Sequence, residues 1–226
     1  SPGVYYSDLG QTWNLSAYAA YGYYFAYWDI SGQGLRIQSS ISITVNDDIE
    51  ATAIFWNLSQ AVTFPDPNLE AAVRAAINKP TGTLYVSDLV SQSFTTLDAA
   101  GQGIEDLTGL EYCMNLTTLL LNNNAISNLT PLSKLVRLEY LDLGFGNPME
   151  ENSNVDMMAD DANAITNLTP LSTLINLEYL NVAGNTGITD ISVVSSLSSL
   201  TTLWLGQSDL AGKFAPLSSR ASTLEL

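Results

Sequence analysis

The chain has 226 residues, of which 46% are apolar and 13% charged, so it is a globular polypeptide with enough material for one or two cores. Its 23 acidic and 7 basic side chains give a net charge of −16, a field that repels phosphate and argues against nucleic acid or anionic membranes as partners. Histidine is absent, which rules out Ser-His-Asp and Cys-His catalysis within the chain, and the lone Cys113 can form no internal disulfide.

Residues 1–63 are rich in aromatic and small polar residues that alternate, as in Leu15-Ser-Ala17-Tyr-Ala19 and Ile41-Ser-Ile43-Thr-Val45. Period two between Gly10, Gly22, Gly32–Gly34 and Asn46-Asp-Asp48 predicts short antiparallel strands near 4–7, 12–19, 23–30, 35–45 and 50–57. The opening Ser1-Pro-Gly has neither a basic nor an apolar leader region, so no signal peptide is expected there. No run approaches the ~18 apolar residues of a membrane span, and no membrane insertion is expected.

Phe64-Pro65-Asp66-Pro67-Asn68 then stops any strand and offers Asp66 as an N-cap with Pro67 at the first helical position. Leu69, Ala72, Val73, Ala76 and Ile77 recur at helical spacing up to Asn78, and a second short helix is expected over 86–91.

From Phe94 onward a unit of about 22 residues repeats. It is clearest from Leu116, with Leu119, Leu121, Asn124, Ile126, Leu129, Leu132 and Leu135, and recurs from Leu138 and from Leu177. The pattern L-x-x-L-x-L-x-x-N predicts a leucine-rich repeat solenoid whose turns stack to bury their apolar edges. The expected fold is thus an α/β leucine-rich repeat solenoid with a parallel sheet on its concave face and a helical N-terminal cap, preceded by a small mainly-β domain. Its boundaries fall at 1–63, 64–93 and 94–226, with an insertion near 145–162.

Three motif groups carry a resemblance. Gly10-Gln-Thr-Trp-Asn-Leu-Ser-Ala17, Gly22-Tyr-Tyr-Phe25-Ala-Tyr-Trp28, Ile41–Asp48 and Ala51-Thr-Ala53-Ile-Phe55 resemble the divergent B-repeat module of bacterial internalin-like surface proteins. The segment Phe-Pro-Asp66-x-Asn-Leu-x-x-x-Val-Arg-x-x-Ile77 looks like the N-terminal cap of internalin-type repeat domains. Ile104-Glu-Asp-Leu-Thr-Gly-Leu-Glu111 is likewise similar to that family's first repeat. The resemblance implies a spacer or interaction module, a capped solenoid and a role in surface recognition, without enzymatic activity.

The three outward columns of the predicted sheet are the candidate binding surface. The central one reads Asp98, Leu120, Asp142, Asn181, Trp204; beside it run Thr96, Thr118, Tyr140, Tyr179, Thr202, and then Ala100, Asn122, Gly144, Ala183, Gly206. Leu120, Tyr140, Asp142, Tyr179, Asn181 and Trp204 are the expected ligand contacts, with Leu120 and Trp204 exposed. The small third column would let a partner approach closely. Tyr and Trp also suit strands whatever their function, and both readings stand at this point.

Asn124, Asn163 and Asn185 are expected to bond the backbone of the tight loops. In the insertion, Asp156, Asp160 and Asp161 offer the hard oxygens that calcium prefers, yet their spacing is not that of an EF-hand loop, so a solvated loop is the other reading. No other cofactor has a motif. Of five Asn-x-Ser/Thr triplets, those at Asn115, Asn128 and Asn167 arise from the repeat template itself.

These readings converge on an extracellular or cell-surface adhesion module that recognises a protein or glycan through the concave sheet. The alternative is a structural subunit of a filament or surface layer, self-associating end to end.

Overall fold

A computed structural model describes residues 9–145 and 163–205. The chain divides into two compact units, residues 1–60 and 61–226.

In the first unit, β1 (Gln11–Ser16) pairs antiparallel with β4 (Ser40–Val45), while β2 (Tyr23–Ile30) lies between β3 (Gly34–Arg36) and β5 (Ala51–Asn57). The strand expected over 35–45 is therefore two strands in two sheets. Between them, the Ser39 carbonyl accepts from the Ala17 amide at 2.8 Å and from Trp28 Nε1 at 3.4 Å. That satisfies a buried indole that would otherwise be left unpaired. Trp28, Ile30 and Ile43 are buried, with Trp13, Leu15, Phe25, Ile41 and Phe55 packed against them. Phe25 meets Phe55 edge to face at 5.6 Å between ring centres. The strand expected at 4–7 lies outside the described residues.

The second unit opens with β6 (Ala61–Val62), which pairs with β7 (Leu84–Tyr85) around α1 (Pro67–Ala76). Asp66 Oδ1 accepts from the amides of Asn68 at 2.9 Å and Leu69 at 3.1 Å, closing the N-terminus of α1. Helix α1 ends at Ala76, two residues short of the expected Asn78, because Asn78 takes a left-handed φ of +53° and the Lys79 amide closes back on the Arg74 carbonyl at 2.9 Å; the Arg74 side chain then holds the chain that follows. The guanidinium donates to the carbonyls of Lys79 and Gly82 while pairing with Glu70 at 2.8 Å. Leu69 and Val73 are fully buried under the cap. Helix α2 (Val86–Leu89) is shorter than expected but starts where the sequence places it.

Five strands follow, β8 (Thr96–Asp98), β9 (Thr118–Leu120), β10 (Tyr140–Asp142), β11 (Tyr179–Asn181) and β12 (Thr202–Trp204), hydrogen-bonded in chain order as one parallel sheet. Their middle residues Leu97, Leu119, Leu141, Leu180 and Leu203 share one register row and are fully buried. Across the core lie 3-10 helices at Leu110–Tyr112, Thr130–Lys134, Thr169–Thr173 and Ser192–Ser196. A side chain ahead of each opens it: Asp106, Asn128, Asn167 and Asp190 accept from the amide two residues on, at 2.8–3.0 Å. Each buried leucine contributes about 1.5–3 kcal/mol, and most of that exists only because a neighbouring turn covers it.

Two side-chain ladders lock the turns together. Asn124, Asn163 and Asn185 are buried; each donates to two or more carbonyls of its own and adjacent turns and accepts an amide from the neighbouring one. Asn163 takes this place although it follows Leu143 by twenty residues, where Asn124 follows Leu121 by three. Asn163 thus holds the ladder position despite the longer spacing. On the other side, Asn115 donates to the Val90 carbonyl at 2.8 Å and Asn176 to that of Val136 at 2.7 Å. Asn115 is buried there, so its Asn-Leu-Thr triplet presents no accessible amide for modification.

Candidate binding surface

The outward face of the β8–β12 sheet contains the two leading columns in the predicted register; the third column lies past the strand ends, and its Gly206 is outside the described residues. Tyr140 is paired with Thr118 and Tyr179, and Asp142 with Leu120 and Asn181; Asn181 is in turn paired with Trp204. Parallel pairing sets neighbouring side chains about 4.8 Å apart, and the flat rings of Tyr140 and Tyr179 use that spacing. Their centres are 4.1 Å apart and their planes differ by 2°.

Burial differs from the sequence expectation. Only Thr96 and Asp98 on β8 are exposed in the two leading columns. Leu120, Tyr140 and Trp204 are half-buried, while Asp142, Tyr179 and Asn181 are buried. Leu120 and Trp204 are therefore not the exposed pair that strand alternation predicts. For the polar members the reason is local. Asp98, Asp142 and Asn181 each turn back to accept the amide two residues on, from Ala100, Gly144 and Ala183, at 3.0–3.2 Å. With strands on both sides, such Asx turns lay the side chain over the strand end instead of into solvent, whereas Asp98 on the edge strand makes the same turn and stays exposed. Asn181 also donates to Asp142 Oδ1 at 2.9 Å.

Gly144 corrects a second expectation. A Cβ built there would collide with the Asn181 amide. Its small size makes room for Asn181 and does not leave space for a partner.

Electrostatics follow from this packing. Burial pushes the Asp142 carboxyl above its ordinary range, opposed by hydrogen bonds from the Gly144 amide and Asn181. Burial also raises the Tyr179 phenol, reinforced by the adjacent Tyr140 phenol and Asp142. Among the described residues, the Tyr179 hydroxyl and Trp204 Nε1 are shielded from water, and Trp204 Nε1 meets no hydrogen-bond partner. Such an unpaired group costs about 1–3 kcal/mol relative to a satisfied one. The sequence contains no signal for this, because it depends on how the rings pack; the Tyr140–Tyr179 adjacency was readable from the repeat register.

Asp156, Asp160 and Asp161 lie outside the described residues. Among the described residues no cluster of acidic or thiol side chains is arranged to hold a metal. No helix among them is long and apolar enough to cross a membrane.

Comparison with known proteins agrees with the repeat geometry. The family model for leucine-rich repeats (2 copies) matches residues 114–154. Internalin H of Listeria monocytogenes is 33% identical over 90 residues, covering 39% of this chain and 16% of the relative. The crystal structure of an internalin (inlF) from the same species superposes with a TM-score of 0.56 at 31% identity, over 71% of this chain and 43% of that one. The chain thus spans less than half the length of either relative. Capped N-terminal helices, a parallel five-stranded sheet, an asparagine ladder and these similarities together identify an internalin-like leucine-rich repeat protein.

Proposed function

We propose that this chain is a non-catalytic recognition module of a bacterial cell-surface or secreted protein, and that it captures a protein partner for adhesion on the outward face of the β8–β12 sheet. The observation that carries the reading is the stacked Tyr140–Tyr179 pair on the same face as the half-buried Trp204. Rigid aromatics held on a sheet face are the groups that gain most from a partner's apolar surface. Similarity to internalins supports surface recognition, and the absence of histidine supports binding over catalysis.

The test is capture of surface proteins by the immobilised chain, followed by titration of the captured partner against two variants. Leu120→Arg should weaken capture about tenfold or more by placing a bulky charge on the face, on the strand beside Tyr140. Trp204→Phe should weaken it while preserving the ring's packing. If both variants bind as the parent does, the sheet face is not the site.

A further inference from the structure

The first unit bears a second surface, unrelated to the repeat sheet. Strands β1 and β4 run in register from Gln11 opposite Val45 to Ser16 opposite Ser40, and the Ala17 amide extends the pairing to the Ser39 carbonyl at 2.8 Å. Odd-numbered residues Trp13, Leu15, Ile41 and Ile43 face the core. Even-numbered residues form the outer face, and all six are exposed: Thr12, Asn14 and Ser16 on β1, Ser40, Ser42 and Thr44 on β4.

These six are joined across the strands. Ser42 Oγ donates to Asn14 Oδ1 at 2.5 Å, Ser16 and Ser40 hydroxyls are 3.0 Å apart, and those of Thr12 and Thr44 are 3.4 Å apart. The same alternation continues to Tyr18 and Gln38, where the ribbon meets the loop before β2. There Tyr18 is 84% exposed and Tyr21 fully exposed, with Ala19, Ala20 and Gly22 leaving their flanks open. Gly22 holds the loop with a φ of +82°, and its carbonyl accepts from Leu58 at 2.8 Å.

Two properties select the occupant. Tyrosine rings left wholly in water forgo the apolar burial that a partner's surface would return. The face and the loop from Ala17 to Trp28 carry no charged side chain, although the chain as a whole carries −16. A nucleic acid, an acidic polysaccharide or an anionic lipid would be repelled without any local cation to receive it. Exposed tyrosines suit protein partners too, but protein hot spots sit inside a closed, desolvated rim, and here the tyrosines stand beside an open strip of exposed polar side chains. What remains complementary is a neutral, hydroxyl-rich polymer whose ring faces are apolar.

We infer that this face binds a neutral polysaccharide chain. Tyr18 and Tyr21 are the platforms on which sugar rings lie, and the Ser, Thr and Asn strip exchanges hydrogen bonds with sugar hydroxyls. From Thr12 to Tyr18 the strip is about 20 Å long at 3.3 Å per residue, so it follows an extended strand of several sugars.

The test is native electrophoresis of the full chain through gels containing hydroxyethylcellulose or galactomannan, with polygalacturonate as the acidic control. The inference expects retardation by a neutral polymer, lowered about tenfold in apparent affinity by Tyr18→Ala with Tyr21→Ala, at an unchanged melting temperature. Leu120→Arg, which tests the repeat sheet, should leave retardation intact, so the two sites fail separately. Free mobility in both neutral gels, retardation only by polygalacturonate, or retardation unaffected by the tyrosine pair would overturn it. So would tyrosine-dependent co-sedimentation with phosphatidylcholine vesicles in place of polysaccharide binding.

Discussion

The ring of Phe64 lies so close over Gly109 that a Cβ at the glycine would come within 2.6 Å of the Phe64 Cδ1 atom. This contact joins the Phe-Pro-Asp segment to the Glu-Asp-Leu-Thr-Gly segment of the first repeat, two motifs that are 45 positions apart in the sequence. Gly109 also has a φ of +105°, which a side chain rarely tolerates. Gly109→Ala should therefore destabilise the repeat unit by about 2–4 kcal/mol, from overpacking and backbone strain together. Phe64→Ala should cost about 3–5 kcal/mol, since the ring is 3% exposed. Urea unfolding of each variant checks both values, and a loss below about 1 kcal/mol would show that the cap is not docked there.

Asp66 ties the same joint by charge. Its Oδ1 caps α1, and its Oδ2 accepts the amides of Glu105 at 2.8 Å and Asp106 at 3.2 Å. Burial alone would raise this carboxyl, but the four backbone donors outweigh it and hold the group below its ordinary range. A depressed folded-state value means that the stabilisation is present above the unfolded carboxyl's pKa of about 4 and is lost as pH falls through the folded value. Asp66→Asn should thus cost stability at pH 7, with the gap to the parent closing below about pH 4. A gap that stays constant with pH would contradict the four-donor arrangement.

Asp142 should show the opposite sign. Its carboxyl is raised, chiefly by burial, so the charged form is penalised in the folded state and neutral pH carries the penalty. Asp142→Asn keeps an acceptor for the Gly144 amide and should raise the melting temperature at pH 7, with the advantage fading as pH falls toward the unfolded carboxyl's range. A lowered melting temperature at pH 7 would show that the charge itself is needed.

Much of this was legible in the sequence, and the reasons are specific. Leucine spacing placed Leu97, Leu119, Leu141, Leu180 and Leu203 in one row because a fixed repeat length leaves no other register. Asp66 before Pro67 announced a helix start, and Asn124 and Asn185 announced the ladder. What escaped was tertiary. Strand alternation says that Asp142 and Asn181 point away from the core, but not that they fold back onto Gly144 and Ala183. Nor could it separate β3 from β4, since the two pair with different strands, β2 and β1, in two sheets.

The asparagine ladder gives a graded prediction. Asn185→Ala removes an acceptor for the Ile165 amide and donors to the Leu143 and Val182 carbonyls, all within 3.1 Å and all buried. Leaving several backbone groups unpaired should cost about 2–4 kcal/mol. Exposed Asn176, with its single bond to the Val136 carbonyl, should cost about 1 kcal/mol when changed to alanine. Equal losses would mean that the ladder is not what holds the turns in place.

Cys113 is fully buried, and burial with the nearby Glu111 carboxylate pushes its thiol far above the usual range. Thiol reagents should leave the folded chain unmodified and react at one site per chain only after unfolding. That silence makes single-cysteine labelling of the surface possible without first replacing Cys113.

Labelling therefore tests the binding claim directly. Leu120→Cys carries its tag on the sheet's outward face, on the strand beside Tyr140, and Ser195→Cys carries it on an exposed 3-10 helix across the core. After coupling each to a polyethylene-glycol maleimide, capture of the protein partner should be abolished at position 120 and preserved at 195. Capture that survives the tag at 120, or is lost only at 195, would place recognition elsewhere on the molecule.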